Sequence, residues 1–318
     1  MSATGATGAT VVADPADLAT APSAVAIGFF DGVHRGHRAI IGAAAEQGRR
    51  AGVRTVVVTF DRHPMEVVAP GSQPPLLQTL PRRVATLADC DVDAVVVLPF
   101  DDRLRHLPAE GFITHVLRGP LAAVAVVVGE NFRFGHRASG DVALLTQAGQ
   151  REGFSVTGVA LYTDSDGRAI SSTAVRAALD AGTVADAARM LGRPHAIDGV
   201  VVRGDRRGRE LGYPTANLHL DARLAVPAPG VYASRLTLPD GRTLPAATSV
   251  GTNPTFGGHG LRVEAYVLDF DEDLYGLEVS LAFTHWLRGQ ERYDDVADLI
   301  AQMDGDVAEV RRLEGETR

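Results

Sequence analysis

The 318-residue chain contains one cysteine, Cys90. A single thiol excludes an intramolecular disulfide framework and any zinc site that needs several cysteines. This use of cysteine is typical of proteins in a reducing cytoplasm, and we expect Cys90 to be chemically inert. The sequence therefore predicts a cytoplasmic protein without covalent cross-links.

Three further absences narrow the class of protein. The chain has no run of about 18 apolar residues, the length that a membrane helix needs. The first 22 residues are rich in Ala, Thr and Gly and lack the basic segment of a secretory signal. Positive charge is not in excess, because the formal net charge is -8. We expect no membrane or nucleic-acid partner, although a local group of arginines could still bind a phosphate.

The length predicts two domains of about 150 residues each. Between residues 24 and 190, short apolar segments alternate with longer helical ones, which is typical of a parallel α/β sheet. Four of the five apolar segments are continuous runs rich in Val or Ile, as expected where helices cover both faces of the sheet. The predicted strands are AVAIGFF, VRTVVVTF, DAVVVLPF, AAVAVVVG and FSVTGVAL.

The second part of the chain, residues 191–318, has a different pattern. Five apolar segments are separated by Gly, Pro and Asp turns without intervening helices, which predicts an antiparallel barrel or sandwich. We place the boundary near Gly192 and expect residues 1–23 to form a disordered leader. A final helix is predicted to pack on the barrel through one apolar face, formed by Val296, Leu299, Ile300 and Met303.

The segment GFFDGVHRGH follows the first predicted strand, at the edge where open parallel sheets bind ligands. His34 and His37 lie near the first turn of the next helix, whose free N–H groups attract phosphate. Imidazole N–H groups can stabilise charge that develops on a phosphoryl group. Gly28, Gly32 and Gly36 would allow a nucleotide to approach the backbone.

Two other interpretations of the histidine pair stay open at this point. A zinc site would need a third and a fourth ligand, and the nearest other histidine, His63, belongs to a different strand end. Alternatively, His34 and His37 are simply polar residues on a solvated helix start. The three glycines around the pair favour the phosphate interpretation.

A second segment, ISSTAVRAAL, opens a helix with three consecutive hydroxyl residues. Ser172 and Thr173 supply hydroxyl and amide groups, and Arg176 adds a guanidinium one turn later, a combination suited to phosphate. Taken alone, such a start is more often a helix cap. Together with the HxGH turn it resembles the nucleotidyltransferase superfamily, in which HxGH and ISSTxxR elements bind the triphosphate of ATP.

Several families share that pair of motifs, including pantetheine-phosphate and nicotinamide-mononucleotide adenylyltransferases. Class I aminoacyl-tRNA synthetases carry a related turn, but the chain has no KMSKS-type loop. The loop VVGENFRFGHRASGD narrows the choice, because Asn131, Phe132 and its other aromatic and basic side chains could stack on a ring and hold a phosphate. A surface loop with core phenylalanines is the alternative.

In the second part, GDRRGRELGYPTAN places an Arg-rich turn between Gly204 and Gly208. Thr215 and Asn217 follow, and they offer two hard oxygens suited to a Mg²⁺ ion that also binds phosphate. Alternatively, PTAN is a plain turn. Glu264 lies in a predicted strand among mostly apolar side chains and is a candidate general base.

From about residue 24 to 313 the chain resembles the prokaryotic bifunctional riboflavin kinase/FAD synthetases. GFFDGVHRGH, VVGENFRFG, ISSTAVR, GYPTANL, GVYAS, GTNPTF and VEAYVLDFDEDLYG occur in the order of that family. The resemblance implies an N-terminal Rossmann-like FMN adenylyltransferase domain with a parallel sheet, residues 24–190. It also implies a C-terminal riboflavin kinase barrel, residues 191–318.

The resemblance also implies roles for individual residues. Glu264 would activate the ribityl hydroxyl of riboflavin, and Thr215 and Asn217 would serve Mg²⁺ and ATP. His34 and His37 would act in adenylyl transfer, while Asn131, Phe132 and Arg288 would contact flavin. The predicted ATP contacts are Gly28, Phe30, Asp31, Gly36, Ser172, Thr173, Arg176, Gly204 and Gly208.

The resulting hypothesis is that riboflavin and ATP give FMN in the barrel, and that FMN and ATP give FAD and pyrophosphate in the first domain. A paralogue with one drifted module is the first alternative, and a flavin-binding protein without turnover is the second. A pure binder would not need a general base such as Glu264, which favours the enzyme. Formation of a homo-oligomer stays open.

Overall fold

A computed structural model describes residues 3–4, 8–204, 208, 211–253 and 260–316. Contacts divide the chain into two compact units. The first comprises Met1–Pro74 and Leu80–Ser171, and the second comprises Pro75–Thr79 and Ser172–Arg318.

The first unit is built on one seven-stranded sheet. Its strands are β1 Ala3–Thr4, β2 Thr10–Val12, β3 Ser23–Ile27, β4 Arg54–Phe60, β5 Ala94–Leu98, β6 Ala123–Gly129 and β7 Ser155–Val159. The order across the sheet is β1-β2-β5-β4-β3-β6-β7, and six strands are parallel while β1 is antiparallel to β2. The predicted parallel α/β sheet is therefore confirmed, and its five predicted strands are β3 to β7.

Helices connect the strands of this sheet. They are α1 Arg35–Ala51, α2 Pro64–Val68, α3 Leu80–Ala88, α4 Asp102–Arg105, α5 Ala109–Phe112 and α6 Val142–Glu152. A π-helical turn, Ile113–Arg118, continues α5. The central strands are buried on both faces: Val25 and Ile27 belong to one apolar cluster, whereas Ala26 belongs to another. Burial on both faces explains why these strands are continuous apolar runs.

The strand order reverses between β3 and β6. From β3 the chain proceeds to β4 and β5 on one side, and it then returns to β6 and β7 on the other. Loops at the carboxyl ends of two such strands diverge and leave a crevice, the usual ligand site of open α/β sheets. The segment after β3 and the segment after β6 are the two loops at this position.

Part of the predicted leader is folded. β2 pairs with β5 in parallel, and Ala9, Val12 and Leu18 are buried. This result differs from the disorder predicted for residues 1–23. The composition of the leader concealed the strand, because three apolar positions gain their burial only from the edge of the sheet.

The second unit contains a closed antiparallel barrel. Its strands are β8 His195–Val202, β9 Thr215–Leu220, β10 Gly230–Thr237, β11 Thr243–Asn253, β12 Gly260–Val267 and β13 Glu278–Arg288. The order is β10-β11-β12-β9-β8-β13, and β13 pairs with β10 to close the barrel. The sequence predicted five of these strands; the sixth, β9, holds the PTAN segment that could have been a plain turn. β9 is a full member of the barrel, paired with both β12 and β8.

The barrel unit includes the helices α7 Ser172–Asp180, α8 Val184–Leu191 and α9 Val296–Glu316. The predicted terminal helix is α9, and it packs through Val310 against Ala233 and Leu268. Val296, predicted on the packed face, is instead 57% exposed because it forms the first turn of the helix.

The contact division falls about one helical hairpin before the predicted boundary at Gly192. α7 and α8 were predicted to end the first domain, but their contacts group them with the barrel. The backbone N–H of Ala228, in the barrel unit, donates to the carbonyl of Leu179 at 2.9 Å. The range of residues that folds independently stays a prediction.

Among the residues that the structure describes, no helix is long and apolar enough to cross a membrane. Within the same residues, no group of three or more His, Cys, Asp or Glu side chains is arranged to hold a metal ion.

Candidate active sites

The turn after β3 is tightly folded. Phe30, Gly32 and Val33 have φ values of 56°, 82° and 41°, and the N–H of Val33 donates to the carbonyl of Phe30 at 3.0 Å. Left-handed backbone at a non-glycine residue is costly, and such strain is concentrated at functional sites. Phe30 and Asp31, two predicted ATP contacts, are buried in this turn.

His34 caps the helix that follows. Its Nδ1 accepts the backbone N–H of His37 at 3.2 Å, so Nδ1 carries no proton and the neutral ring holds its proton on Nε2. The two imidazoles stack, with ring centroids 3.5 Å apart and planes inclined by 20°. Capping therefore fixes the orientation of His34 and places one imidazole directly against the other.

His37 lies at the centre of this arrangement. Burial holds the pKa of His37 well below its ordinary range, and repulsion from His34 and Arg83 lowers that pKa further. Its Nδ1 is buried and has no hydrogen-bond partner in the structure. A neutral imidazole with an unsatisfied nitrogen is suited to hydrogen bonding with a ligand oxygen.

The sequence did not indicate Arg83, which is 1% exposed. Its guanidinium lies over the ring of Phe29 at 4.1 Å and donates to the carbonyl of Phe60, while its Nε is buried without a partner. Burial lowers the pKa of Arg83 to about 10, and the charge of Asp31 opposes that shift. Arg83 therefore remains a cation at neutral pH, and it contributes positive potential next to the histidine pair. No sequence pattern could have revealed it, since its position in α3 gives no hint of burial beneath another loop.

Two of the predicted ATP-contacting glycines have a packing role. A Cβ at Gly28 would lie 2.8 Å from the ring of Phe30, and a Cβ at Gly36 would lie 3.2 Å from the ring of His34. The aromatic rings of the turn leave little room for a larger residue at either position. Direct contact of either glycine with ATP stays a prediction.

The loop after β6 contains the predicted flavin contacts of the first unit. Asn131 is exposed and Phe132 is half-buried. Phe132 stacks on the buried Phe134, with ring centroids 5.6 Å apart and planes inclined by 14°. Phe134 therefore belongs to the core, as the alternative interpretation expected, whereas contact of Asn131 and Phe132 with flavin stays a prediction.

Ser172, Thr173 and Arg176 lie in the first turns of α7, in the barrel unit. Thr173 is exposed, and the Nε of Arg176 donates to the carbonyl of Pro75 at 2.5 Å. The start of α7 thus has the predicted hydroxyl residues and guanidinium. Their role in binding the triphosphate of ATP stays a prediction.

In the barrel, strand register aligns three polar residues. Glu264 in β12 is the cross-strand partner of Asn217 in β9 and of Ser249 in β11. Directly opposed residues of antiparallel strands have Cβ atoms about 5 Å apart, so these side chains form one row on the barrel wall. The structure therefore places the predicted base beside a predicted metal ligand.

Two cavities are lined by residues of this row. The first, of about 380 Å³, is lined by Gly204, Thr215, Asn217 and the segment from Phe270 to Tyr275. The second, of about 210 Å³, is lined by Glu264 and Arg288 together with residues of α9. Thr215 lines both cavities.

Gly204 and Gly208 give the backbone close access to this site. A Cβ at Gly204 would lie 2.5 Å from the amide of Asn217, and a Cβ at Gly208 would lie 2.4 Å from the carbonyl of Tyr213. Glycine is therefore required sterically at both positions. The Arg-rich turn between them, residues 205–207, and residues 254–256 of the GTNPTF segment lie outside the described residues.

The donors of Thr215 and Asn217 fit a hard cation. Both are neutral oxygens, the type that Mg²⁺ binds together with phosphate oxygens and water. Oδ1 of Asn217 already accepts from the positively charged Arg262 at 3.2 Å, so this oxygen faces a cation in the structure.

Arg288, predicted as a flavin contact, lines the second cavity but is also engaged by α9. Its Nε and Nη2 lie 2.9 and 2.8 Å from the carboxylate oxygens of Asp306, which is buried. Asp306 raises the pKa of Arg288 through these hydrogen bonds. The pair fixes α9 over the cavity, so Arg288 positions a wall of the site whether or not it also contacts flavin.

Comparison with known proteins supplies the family. An FAD synthetase family model matches residues 17–174, and a riboflavin kinase family model matches residues 191–314. A bifunctional riboflavin kinase/FMN adenylyltransferase of Escherichia coli (strain K12) is 38% identical over 292 residues, which cover 92% of this chain and 93% of that protein. The chain belongs to the bifunctional riboflavin kinase/FMN adenylyltransferase family.

Two further relatives agree over the same length. The bifunctional riboflavin kinase/FMN adenylyltransferase of Pseudomonas fluorescens is 39% identical over 288 residues, 90% of this chain and 91% of that one. A crystal structure of a protein named macrolide-efflux protein, from Streptococcus pneumoniae, matches with a TM-score of 0.84 and 31% identity, covering 95% of this chain and 98% of the other. The efflux name is that protein's own, and the match shows that the fold is shared along nearly the whole chain.

Proposed function

We propose that this protein makes FAD from riboflavin in two ATP-dependent steps. The barrel phosphorylates riboflavin to FMN, and the parallel-sheet unit supplies the histidine turn for adenylylation of FMN. The observation that carries this proposal is the arrangement around Thr215, which lines both barrel cavities, while Glu264 lines only the second. We assign the first cavity to the nucleotide and the second to riboflavin, with Thr215 in the wall of both.

In the first step, Glu264 accepts the proton of the ribityl 5′-hydroxyl of riboflavin in the second cavity. The hydroxyl oxygen forms a bond to the γ-phosphorus of ATP, and the bond from that phosphorus to the β–γ bridging oxygen breaks. ADP leaves from the first cavity, where Gly204 allows close approach of the backbone. Positioning and charge stabilisation supply most of the rate increase in such transfers.

In the second step, a phosphate oxygen of FMN attacks the α-phosphorus of ATP, and the bond to the α–β bridging oxygen breaks to release pyrophosphate. His34 and His37 stabilise the charge that develops on the phosphates, with Arg83 as a buried source of positive potential. Ser172, Thr173 and Arg176 are proposed to bind the triphosphate. Asn131 and Phe132 are proposed to hold the flavin.

We further propose that both steps use Mg²⁺, which neutralises the phosphate charges when it is bound. In the barrel, Thr215 and Asn217 would hold it. Because both steps consume ATP, we propose that the protein acts in the cytoplasm. Sedimentation would show whether it forms homo-oligomers. Excess EDTA should abolish both steps, and Mg²⁺ should restore them while Zn²⁺ does not. Full activity in EDTA would contradict the metal assignment.

The decisive experiment incubates the purified protein with riboflavin, ATP and Mg²⁺ and separates the flavins by chromatography. FMN should accumulate first and FAD should follow. Formation of FMN alone, or conversion of supplied FMN alone, would support a protein with one active module. Saturable flavin binding without any product would instead support a non-catalytic flavin-binding protein.

A further inference from the structure

Arg262 connects the two key side chains of the barrel site. It lies in β12, two residues before Glu264, so both side chains point to the same face of the strand. Its Nε is 2.5 Å from Oε1 of Glu264 and 3.2 Å from Oδ1 of Asn217. One guanidinium thus bonds simultaneously to the proposed base and to the proposed metal ligand.

We propose that Arg262 is the resting counter-ion of the kinase site and that it competes with the divalent cation for Asn217. This inference rests on the proposed riboflavin kinase function and deepens it. Before Oδ1 of Asn217 can bind a metal, Arg262 must move away from it, because a guanidinium and a divalent cation on one oxygen repel each other strongly. The same movement frees the carboxylate of Glu264 from its ion pair.

Because the ion pair of Arg262 and Glu264 is partly exposed to solvent, its displacement requires little free energy. The side chains of Arg262 and Glu264 are 32% and 25% exposed, so solvent screens their attraction. Ion pairs that are this exposed contribute little to stability. A metal that brings its own phosphate ligands can therefore replace the guanidinium, whereas in the absence of nucleotide Arg262 keeps Asn217 and Glu264 in place.

The test compares ADP binding in Mg²⁺ with ADP binding in EDTA by titration calorimetry. The ratio of the two affinities measures how much the metal helps the nucleotide. We expect Arg262→Gln to increase that ratio about 3- to 10-fold over the unmodified protein, since the competing charge is gone. The Mg²⁺ concentration for half-maximal FMN formation should fall in parallel.

Arg235→Gln is the matched control. Arg235 also leaves a barrel strand to pair with a glutamate, Glu314, and the two side chains are 35% and 30% exposed. Neither residue lines the two cavities. The control variant should keep the affinity ratio of the unmodified protein. If Arg262→Gln does not fold, Arg262→Met serves the same comparison because it keeps the apolar stem of the side chain.

An unchanged ratio in a folded Arg262 variant would overturn the inference. So would an equal loss of ADP affinity in Mg²⁺ and in EDTA, because that result would make Arg262 a phosphate ligand rather than a competitor of the metal. Failure of the proposed function looks different: the unmodified protein would then form no FMN and bind no ADP in Mg²⁺.

Discussion

The imidazoles of His34 and His37 lie face to face, 3.5 Å apart, and Nδ1 of the first accepts the backbone N–H of the second. This contact fixes both rings at the start of α1, beside the point where the strand order of the sheet reverses. It leaves Nδ1 of His37 buried and without a partner. The pair is therefore organised before any ligand binds, as electrostatic catalysis requires.

Replacement of His37 by Ala should slow the conversion of FMN to FAD by about 10²- to 10³-fold, the usual cost of one lost donor to a transition-state charge. Formation of FMN from riboflavin should hardly change. Both rates are measured by chromatography of the flavins, beside a thermal melt. If the folded variant loses FMN formation instead, the histidines do not serve adenylyl transfer.

Replacement of Glu264 by Ala should have the opposite effect on the two steps. Without its general base, riboflavin phosphorylation should slow by about 10²- to 10⁴-fold. Conversion of supplied FMN to FAD should continue at the normal rate. A general loss of stability would lower both rates together, so equal losses in this variant would argue against the assigned role.

The stability of the protein should depend on pH through His37. Because the folded state holds the pKa of His37 below its ordinary value, the unfolded chain binds more protons between that lowered pKa and about 6.5. The contribution is therefore fully present above about pH 6.5 and is lost as the pH falls towards the lowered pKa. Urea unfolding from pH 7.5 to 5 should show a shallower pH dependence for His37→Asn than for the unmodified protein. Parallel curves would mean that His37 titrates normally.

The barrel should fold and phosphorylate riboflavin without the first unit, but its starting residue matters. A fragment from Leu191 follows the boundary that the sequence suggests, whereas Ser172–Arg318 also keeps α7 and α8. The longer fragment retains the buried side chains of Val184 and Ala187 on α8, which the fragment from Leu191 lacks. Burial of an aliphatic side chain contributes about 1.5–3 kcal/mol, so the longer fragment should melt at least about 5 °C higher.

Equal melting temperatures would show that the two helices do not stabilise the barrel. A folded fragment without kinase activity would show that the site needs residues of the first unit.

The sequence by itself determined the two architectures and most of the candidate residues. Continuous Val-rich strands require burial on both faces, and the change to Gly- and Pro-separated strands requires a second core. Local order along the chain was also sufficient to find the turn of His34 and His37 and the PTAN segment, because each depends on residues close in sequence.

Only the tertiary structure decided which distant residues meet. The register of β9 and β12 brings Asn217 beside Glu264. The same register brings Arg262 within hydrogen-bond distance of Asn217. Arg83 gained its importance through burial under the turn of Phe29, which no local pattern encodes. The leader strand and the packing of α7 and α8 were missed for the same reason. Burial and cross-strand pairing arise from the packing of remote segments, and periodicity along one segment carries no information about its neighbours.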